Sequence, residues 1–288
     1  MSKILVKAPA KVNALLRVLS GRPDGYHELE MVMVPLTLCD EIALTATTGG
    51  VAISIDGQAD AGMSGEKNLA CRAARAFIEA AGVDAGVNIE LAKRVPIAAG
   101  LGGGSSDAAA VLRGLNTLFG TGLTADRLAG IGKALGADVP FFCHGRPAFV
   151  EGIGDRVSVY TSFPKSSYLL VNPGFPVSTP WVYKQWDLQL TMKRPDARVR
   201  PLFQVFSDVI AFLHNDLEQV TIPAHPEIEV IKGALLKAGA AGALMSGSGP
   251  TVFGVFEDQE ARDEAHARLS HEGWKIYRAE AMLDPEFV

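Results

Sequence analysis

The sequence has few of the residues that build disulfide or metal sites, and it carries no excess of positive charge. Its three cysteines, Cys39, Cys71 and Cys143, form no Cys-x-x-Cys pair. This spacing argues against a disulfide framework or a zinc site and favours a reducing location. The formal net charge of −5 provides no basic field to attract a phosphate backbone. We therefore expect a cytoplasmic protein with no nucleic-acid partner.

Long apolar segments are also scarce. The first residues, MSKILVKAPAK, contain no apolar stretch of secretory length, so we expect no signal peptide. Residues 238–256 are uncharged over nineteen positions, close to the length that spans a membrane. Several glycines and Pro250 interrupt this segment, which favours a turn that joins a helix to a strand. The sequence therefore predicts no membrane partner.

Glycine and serine are concentrated at residues 96–110, which read PIAAGLGGGSSDAAA. Glycine allows positive φ and leaves backbone N–H groups open to a ligand. Serine and aspartate often accept hydrogen bonds at the start of a helix, so we predict a helix from Ala108. A helix N-terminus favours anions. The segment therefore predicts a phosphate-binding loop, with a flexible turn and helix cap as the alternative.

Two common phosphate motifs do not match this segment. A Walker loop requires lysine after its last glycine, and here Ser105 follows Gly104. The dinucleotide fingerprint G-x-G-x-x-G requires a glycine where Ser105 stands. Backbone amides and the helix end are therefore expected to hold the phosphates.

Hydrophobic periodicity predicts mixed strands and helices along 288 residues. Helices are predicted at residues 68–81 and 124–135, and strands on both sides of a break at residues 8–11. The absence of strict β-α-β alternation favours an α+β fold. A change in composition near residue 160 predicts two domains, at residues 1–160 and 161–288.

Four other segments carry side chains suited to chemistry. Most lysines are solvated, but Lys11 lies between two apolar segments. Asp138 either caps a new helical turn or is a partly buried carboxylate that needs a cation, for which Lys11 is a candidate. The segment DGYHEL at residues 24–29 is either a hairpin tip or a surface that offers two rings to a ligand. The segment MSGSGPT at residues 245–251 suggests a second wall of the anion site.

These segments resemble motifs of the superfamily of galactokinase, homoserine kinase, mevalonate kinase and phosphomevalonate kinase. Residues 96–110 are similar to its phosphate-binding motif, and residues 246–253, SGSGPTVF, to its third motif. Residues 8–32, with GLGGGSS and with GADVPFF at residues 136–142, resemble the members that act on a cytidine diphosphate-linked methylerythritol. The likeness runs from residue 7 to about residue 256.

The resemblance implies roles for individual residues. Lys11 and Asp138 match the catalytic pair, and ATP and Mg²⁺ are the implied cofactors. The implied cofactor-binding residues are Asn68, Lys93, Pro96, Gly100, Leu101, Gly102, Gly103, Gly104, Ser105 and Ser106, with Ser106 also as a metal ligand. The implied substrate-binding residues are Asn13, Tyr26, His27, Tyr183, Gly247, Ser248 and Gly249.

The resemblance also implies a fold and a reaction. The fold would combine an N-terminal domain like ribosomal protein S5 with a C-terminal ferredoxin-like domain, and the active site would lie in the cleft between them. The reaction would be ATP-dependent phosphorylation of the C2 hydroxyl of the cytidylyl substrate in the non-mevalonate isoprenoid pathway. A homoserine or mevalonate kinase and a non-catalytic nucleotide sensor are the alternatives. The oligomeric state stays open.

Overall fold

The computed structural model describes residues 2–57, 65, 67–189, 200–270 and 273–284. The strands are β1 (Lys3–Gly21), β2 (His27–Thr47), β3 (Val51–Gly57), β4 (Gly86–Lys93), β5 (Ala148–Gly152), β6 (Arg156–Val159), β7 (Ser167–Asn172), β8 (His214–Asn215), β9 (Gly242–Met245), β10 (Val252–Phe256) and β11 (Lys275–Glu280). The helices are α1 (Leu69–Ala81), α2 (Gly103–Leu118), α3 (Ala125–Gly132), α4 (Val139–His144), α5 (Thr179–Gln189), α6 (Phe206–Ala211), α7 (Glu218–Ala224), α8 (Glu227–Lys237) and α9 (Gln259–Leu269).

Two sheets organise these elements. The first has the order β3-β4-β2-β1-β8, with β5 paired to β2 and β6 paired to β5. The second has the order β11-β7-β10-β9, and its neighbours are all antiparallel. Strand β8 is the exception to a simple division along the chain, because it pairs in parallel with β1 in the first sheet. Within the described ranges, no helix is long and apolar enough to cross a membrane.

The predicted break at residues 8–11 is wrong, because β1 runs through it. The pairing register with β2 shifts between Pro9 and Lys11, where β2 carries the extra residues. Pro9 and its near neighbour Pro35 both lack the N–H group that a regular ladder needs, so a bulge accommodates them. The backbone N–H of Lys11 donates instead to the carbonyl of Leu101, at 3.0 Å. The irregularity thus joins Lys11 to the glycine-rich segment.

The predicted helix starts are confirmed where a side chain caps them. Asn68 accepts from the backbone N–H of Ala70 at 2.8 Å, and Gly82 ends α1 with φ of 63°. Thr124 accepts from the N–H of Arg127 and begins α3. That helix ends at Gly132, short of the predicted residue 135, because the chain tightens into a turn.

The predicted start of α2 at Ala108 is wrong, because the helix begins five residues earlier at Gly103. Gly102 precedes it with φ of 71°, and no side chain caps the helix. A Cβ on Gly103 would lie 3.2 Å from Cγ1 of Val95, so this glycine allows the first turn of α2 to pack closely against Val95. The two serines and Asp107 are therefore inside the helix rather than before it.

Helix α2 packs directly on the first sheet. Its alanines at positions 108–110 are fully buried. A Cβ on Gly114 would lie 2.4 Å from Cδ1 of Leu44 and 3.1 Å from Cγ1 of Val6. The absence of a side chain at Gly114 therefore sets the distance between α2 and the sheet that carries Lys11.

Gly114→Val tests this contact, with Gly130→Val in the exposed part of α3 as its control. Overpacking at Gly114 is expected to destabilise the protein by about 1–3 kcal/mol. A Cβ on Gly130 would have no atom within 4 Å, so the same change there is expected to alter stability by less than about 0.5 kcal/mol. The midpoints of urea unfolding report both values, and equal midpoints would contradict the close packing.

Candidate active site

A pocket of about 1000 Å³ lies between the start of α2 and the segments that carry α5 and residues 247–248. This volume is at the upper end of the range of about 300–1,000 Å³ for small-molecule sites. Strands β1, β2 and β4 of the first sheet contribute side chains to its wall, and the loop between β9 and β10 of the second sheet contributes residues 247–248. The residues selected from the sequence that line it are Lys11, Asn13, Tyr26, His27, Lys93, Pro96, Gly100, Gly102, Gly103, Gly104, Ser105, Asp138, Tyr183, Gly247 and Ser248.

Four selected residues lie next to the pocket without lining it. Asn68 caps α1, and the carbonyl of Leu101 accepts from Lys11. Gly249 donates its N–H to the carbonyl of Ser246 at 3.0 Å. Ser106 is fully buried, and its Oγ has no hydrogen-bond partner among the described residues.

The first turn of α2 presents backbone donors to the pocket. The N–H groups of Gly103, Gly104 and Ser105 precede the first intrahelical bond, which runs from Ser106 to Gly102 at 2.9 Å. Within the described ranges these three groups donate to no acceptor. The helix dipole adds partial positive charge at this end. The arrangement is suited to a phosphate group.

Lys93 lies beneath this turn between two buried carboxylates. Its Nζ is 2.5 Å from Oδ2 of Asp40 and 2.8 Å from Oδ2 of Asp107. Burial opposes the charge of Lys93, but the two carboxylates outweigh it and raise its pKa. Burial also raises the pKa of Asp107, although Lys93 opposes that shift. Lys93 is therefore held as a cation close to Gly103, 3.4 Å from the position of a Cβ there.

Lys11 and Asp138 face each other across the pocket floor. Lys11 Nζ lies 3.9 Å from Oδ2 of Asp138 and donates to Oδ1 of Asn13 at 2.5 Å. Asp138 occupies the N-cap position of α4, as the cap alternative expected, but its side chain makes no capping bond. Burial lowers the pKa of Lys11 and outweighs the opposing effect of Asp138. Asp138 is 27% exposed and so stays accessible to a ligand.

The two glycine-rich loops touch each other over Lys11. A Cβ on Gly100 would lie 2.1 Å from the carbonyl oxygen of Ser246, and φ at Gly100 is 77°. Ser246 Oγ donates to the carbonyl of Gly100 at 2.9 Å. A Cβ on Gly247 would lie 3.3 Å from Lys11 Nζ. Only glycine fits at Gly100, because the approach is backbone to backbone.

Aromatic rings lie at the other end of the pocket. The rings of His27 and Tyr183 stack at 4.8 Å with an interplanar angle of 29°. His27 Nε2 lies 2.7 Å from Oδ1 of Asp187. Tyr26 is 57% exposed at the tip of the β1–β2 hairpin. The segment DGYHEL is therefore a hairpin tip that also presents rings to the pocket.

Three polar residues near the pocket have little sequence signal. Asp40 and Asn215 are separated from their partners by long stretches of chain. Asp187 is four residues after Tyr183 on α5, a spacing that places two side chains on one helix face and could have pointed to it.

Comparison with known proteins first defines the class of this chain. The family model described as the GHMP kinases N terminal domain matches residues 68–146, and the model for the GHMP kinases C terminal matches residues 202–275. The crystal structure of a homoserine kinase from Cytophaga hutchinsonii is 20% identical, with a TM-score of 0.72 over 98% of this chain and 95% of that one. The chain therefore has the two-domain α+β fold of these kinases.

Relatives with higher identity define the family. The 4-diphosphocytidyl-2-C-methyl-D-erythritol kinase of Pelobacter propionicus is 50% identical over 98% of this chain and 100% of that protein. That of Geobacter metallireducens is 47% identical with the same coverage. A crystal structure of 4-(cytidine 5'-diphospho)-2C-methyl-D-erythritol kinase has 35% identity and a TM-score of 0.82, over 96% of this chain and 98% of that one. The chain belongs to the 4-diphosphocytidyl-2-C-methyl-D-erythritol kinase family.

The contact between the loops can be tested with Gly100→Ala, with Gly122→Ala as its control. Both glycines have positive φ, but nothing lies within 4 Å of a Cβ on Gly122. The control is therefore expected to lose only the stability that a left-handed backbone costs a residue with a Cβ, about 1–2 kcal/mol. Gly100→Ala also displaces the carbonyl of Ser246 and is expected to lower the thermal midpoint further. Equal midpoints for the two variants would show that the loops do not depend on this contact.

Proposed function

We propose that this chain transfers the γ-phosphate of ATP to the C2 hydroxyl of 4-diphosphocytidyl-2-C-methyl-D-erythritol. The observation that carries the proposal is one pocket that contains both the Lys11–Asp138 pair and the unpartnered amides of α2. The names of the relatives support this substrate rather than homoserine, mevalonate or a sensor role. The reaction places the chain in the non-mevalonate route to isoprenoid precursors.

The proposed domains are residues 1–160, like ribosomal protein S5, and residues 161–288, ferredoxin-like. The second sheet supports the latter assignment, because its strand order matches a β-α-β-β-α-β arrangement with helices between β7 and β9 and between β10 and β11. The pocket takes residues from both parts, which supports an active site in the cleft between them.

ATP is proposed to bind at the start of α2. Phosphoryl transfer depends on positioning and on charge stabilisation more than on covalent chemistry. The amides of residues 103–105 and the cation of Lys93 supply that stabilisation. Asn68, Pro96 and Leu101 would hold the nucleotide from the neighbouring turns.

Mg²⁺ is the second proposed cofactor, and the site fits it in one respect. Ser106 Oγ is a buried oxygen without a hydrogen-bond partner among the described residues, and we propose it as a metal ligand. Those residues hold no cluster of three or more His, Cys, Asp or Glu suited to a metal. Such a donor set suits Mg²⁺, which keeps several waters and binds largely through substrate phosphates. The ion would neutralise charge on the β- and γ-phosphates.

Asp138 is proposed as the general base for the C2 hydroxyl. Lys11, whose Nζ lies 3.9 Å from that carboxylate, orients it and offsets charge that develops at the hydroxyl oxygen. A general base contributes about 10²–10⁴ in rate, roughly 3–5.5 kcal/mol. Electrostatic stabilisation by the surrounding donors is at least as large a contribution.

The cytidine end of the substrate is proposed to lie against the aromatic rings. Tyr26 and Tyr183 offer flat apolar faces, and His27 offers ring nitrogens to the edge of the base. Asn13 lies beside Lys11, and residues 247–249 would face the diphosphate. The small molecule is the proposed partner. A cytoplasmic location is supported by three cysteines that are all free.

The direct test measures ADP release with ATP, Mg²⁺ and one of three alcohols: the cytidylyl methylerythritol, homoserine or mevalonate. Rapid release is expected with the first alone. Release with homoserine or mevalonate would assign the chain to another kinase, and no release with any of them would favour a sensor.

Lys11→Ala is expected to reduce kcat nearly as much as Asp138→Asn, by about 10²-fold or more, because the base needs its cation. Lys3→Ala provides the control, since Lys3 forms an exposed ion pair with Glu90 at 3.0 Å. The test measures kcat of all three variants by steady-state kinetics. Near-normal turnover of Lys11→Ala would remove Lys11 from the mechanism.

His27→Ala is expected to raise KM for the cytidylyl substrate much more than KM for ATP, because it removes one ring of the stack with Tyr183. His144→Ala is the matched control, since His144 also faces a carboxylate, Asp126, at 3.6 Å but does not line the pocket. Equal increases in the two KM values would place His27 outside the cytidine site.

A further inference from the structure

Asn215 does not line the pocket, but it forms hydrogen bonds to the loop of residues 246–249 and to the residue before it. Nδ2 of Asn215 donates to the carbonyl oxygens of Met245 and Gly247, each at 2.8 Å. Its Oδ1 accepts from the backbone N–H of Leu217 at 2.9 Å. The residue is 4% exposed. Both donor hydrogens of the amide are therefore used to hold carbonyls on the two sides of Ser246.

Asn215 is itself fixed to β1. Strand β8 pairs in parallel with β1, which places Asn215 opposite Leu16. Asp216 donates its backbone N–H to the carbonyl of Leu16 at 3.0 Å and accepts from the N–H of Val18 at 2.9 Å. Because β1 also carries Lys11, these bonds hold the loop in register with the proposed catalytic lysine.

The bond to Gly247 sets the direction of one peptide group. In a trans peptide the C=O and N–H point in opposite directions. The carbonyl of Gly247 points at Asn215, so the N–H of Ser248 points away from Asn215, on the side where both loop residues line the pocket. Within the described part of the chain, this N–H donates to no acceptor.

We infer that Asn215 is a positioning residue that aims the Ser248 N–H at an anionic group of the substrate. The inference rests on the proposed function, in which residues 247–249 face the diphosphate. The same loop lies over Lys11, whose Nζ is 3.3 Å from the position of a Cβ on Gly247. One amide side chain outside the pocket thus aligns a backbone donor with a lysine inside it.

Asn215→Asp is the sharpest test, because it preserves shape and changes only the donor. The new carboxyl still accepts from Leu217 but, once ionised, it repels the two carbonyls and releases the peptide. At acid pH the protonated carboxyl can still donate to one of them. We expect KM for the cytidylyl substrate to rise by about 10–100-fold, the value of a lost hydrogen bond to a charged group.

The pH dependence separates positioning from a merely structural role. The KM of Asn215→Asp for the cytidylyl substrate is expected to increase from pH 6 to pH 9 relative to the unaltered protein. Burial beside two carbonyl oxygens raises the pKa of the introduced carboxyl above its ordinary value of about 3.9, and its ionised form is the disruptive one. KM for ATP is expected to change by less than about threefold, since α2 carries that site.

Asn116→Asp is the matched control. Asn116 donates from Nδ2 to the carbonyl of Leu123 at 2.9 Å and accepts from the N–H of Leu123 at 2.8 Å. Loss of the same donor at Asn116 is expected to lower stability without a change in the loop of residues 246–249. If both variants lower the thermal midpoint and neither raises KM for the cytidylyl substrate, Asn215 is structural only and the inference is overturned.

Two further measurements keep the test decisive. Asn215→Ser retains one neutral donor, so it replaces Asn215→Asp if circular dichroism shows that the latter does not fold, and a smaller rise in KM is expected.

If the unaltered protein does not phosphorylate the cytidylyl substrate, the proposed function fails. Calorimetric binding of cytidine diphosphate, with a non-hydrolysable ATP analogue present, then tests Asn215 alone. Weaker binding by the Asn215 variant than by Asn116→Asp supports the inference, and equal binding overturns it.

Discussion

The structure depends on the burial of one positive charge, that of Lys11. Removal of an ammonium group from water is costly unless polar groups compensate it. Asn13 and Asp138 provide that compensation from β1 and from the start of α4. Lys11 also lines the pocket, where its ammonium group can donate further hydrogen bonds to a ligand. A cation held in this way stabilises negative charge more strongly than a solvated one, because the surrounding dielectric is low.

The two glycine-rich loops bring their backbones close to this lysine. Gly100 meets the carbonyl of Ser246, and Gly247 lies over Lys11 Nζ, so neither loop has room for side chains there. Amide groups are rigid donors and need no lysine of their own to bind phosphate. We therefore propose that the loop binds phosphate without the Walker lysine, and that Lys11 and Lys93 supply positive charge from the strands instead.

Local chemistry makes part of this structure predictable. The caps at Asn68 and Thr124 and the stop at Gly82 depend on adjacent residues, and their helices start where predicted. The start of α2 differs from its prediction because close packing against Val95 is a tertiary effect. Asp187 and Asn215 have little signal, since their partners lie 160 and 30 residues away along the chain. The pairing of Lys11 with Asp138 could be suggested from the sequence because a partly buried carboxylate needs a cationic partner.

The claim that Lys11 and Asp138 act as one unit is tested most directly by a double-mutant cycle on kcat. Residues that act together show strongly non-additive losses. The variant with both Lys11→Ala and Asp138→Asn is expected to be within about threefold of the slower single variant. Losses that multiply would show that the two residues contribute independently and would contradict the account.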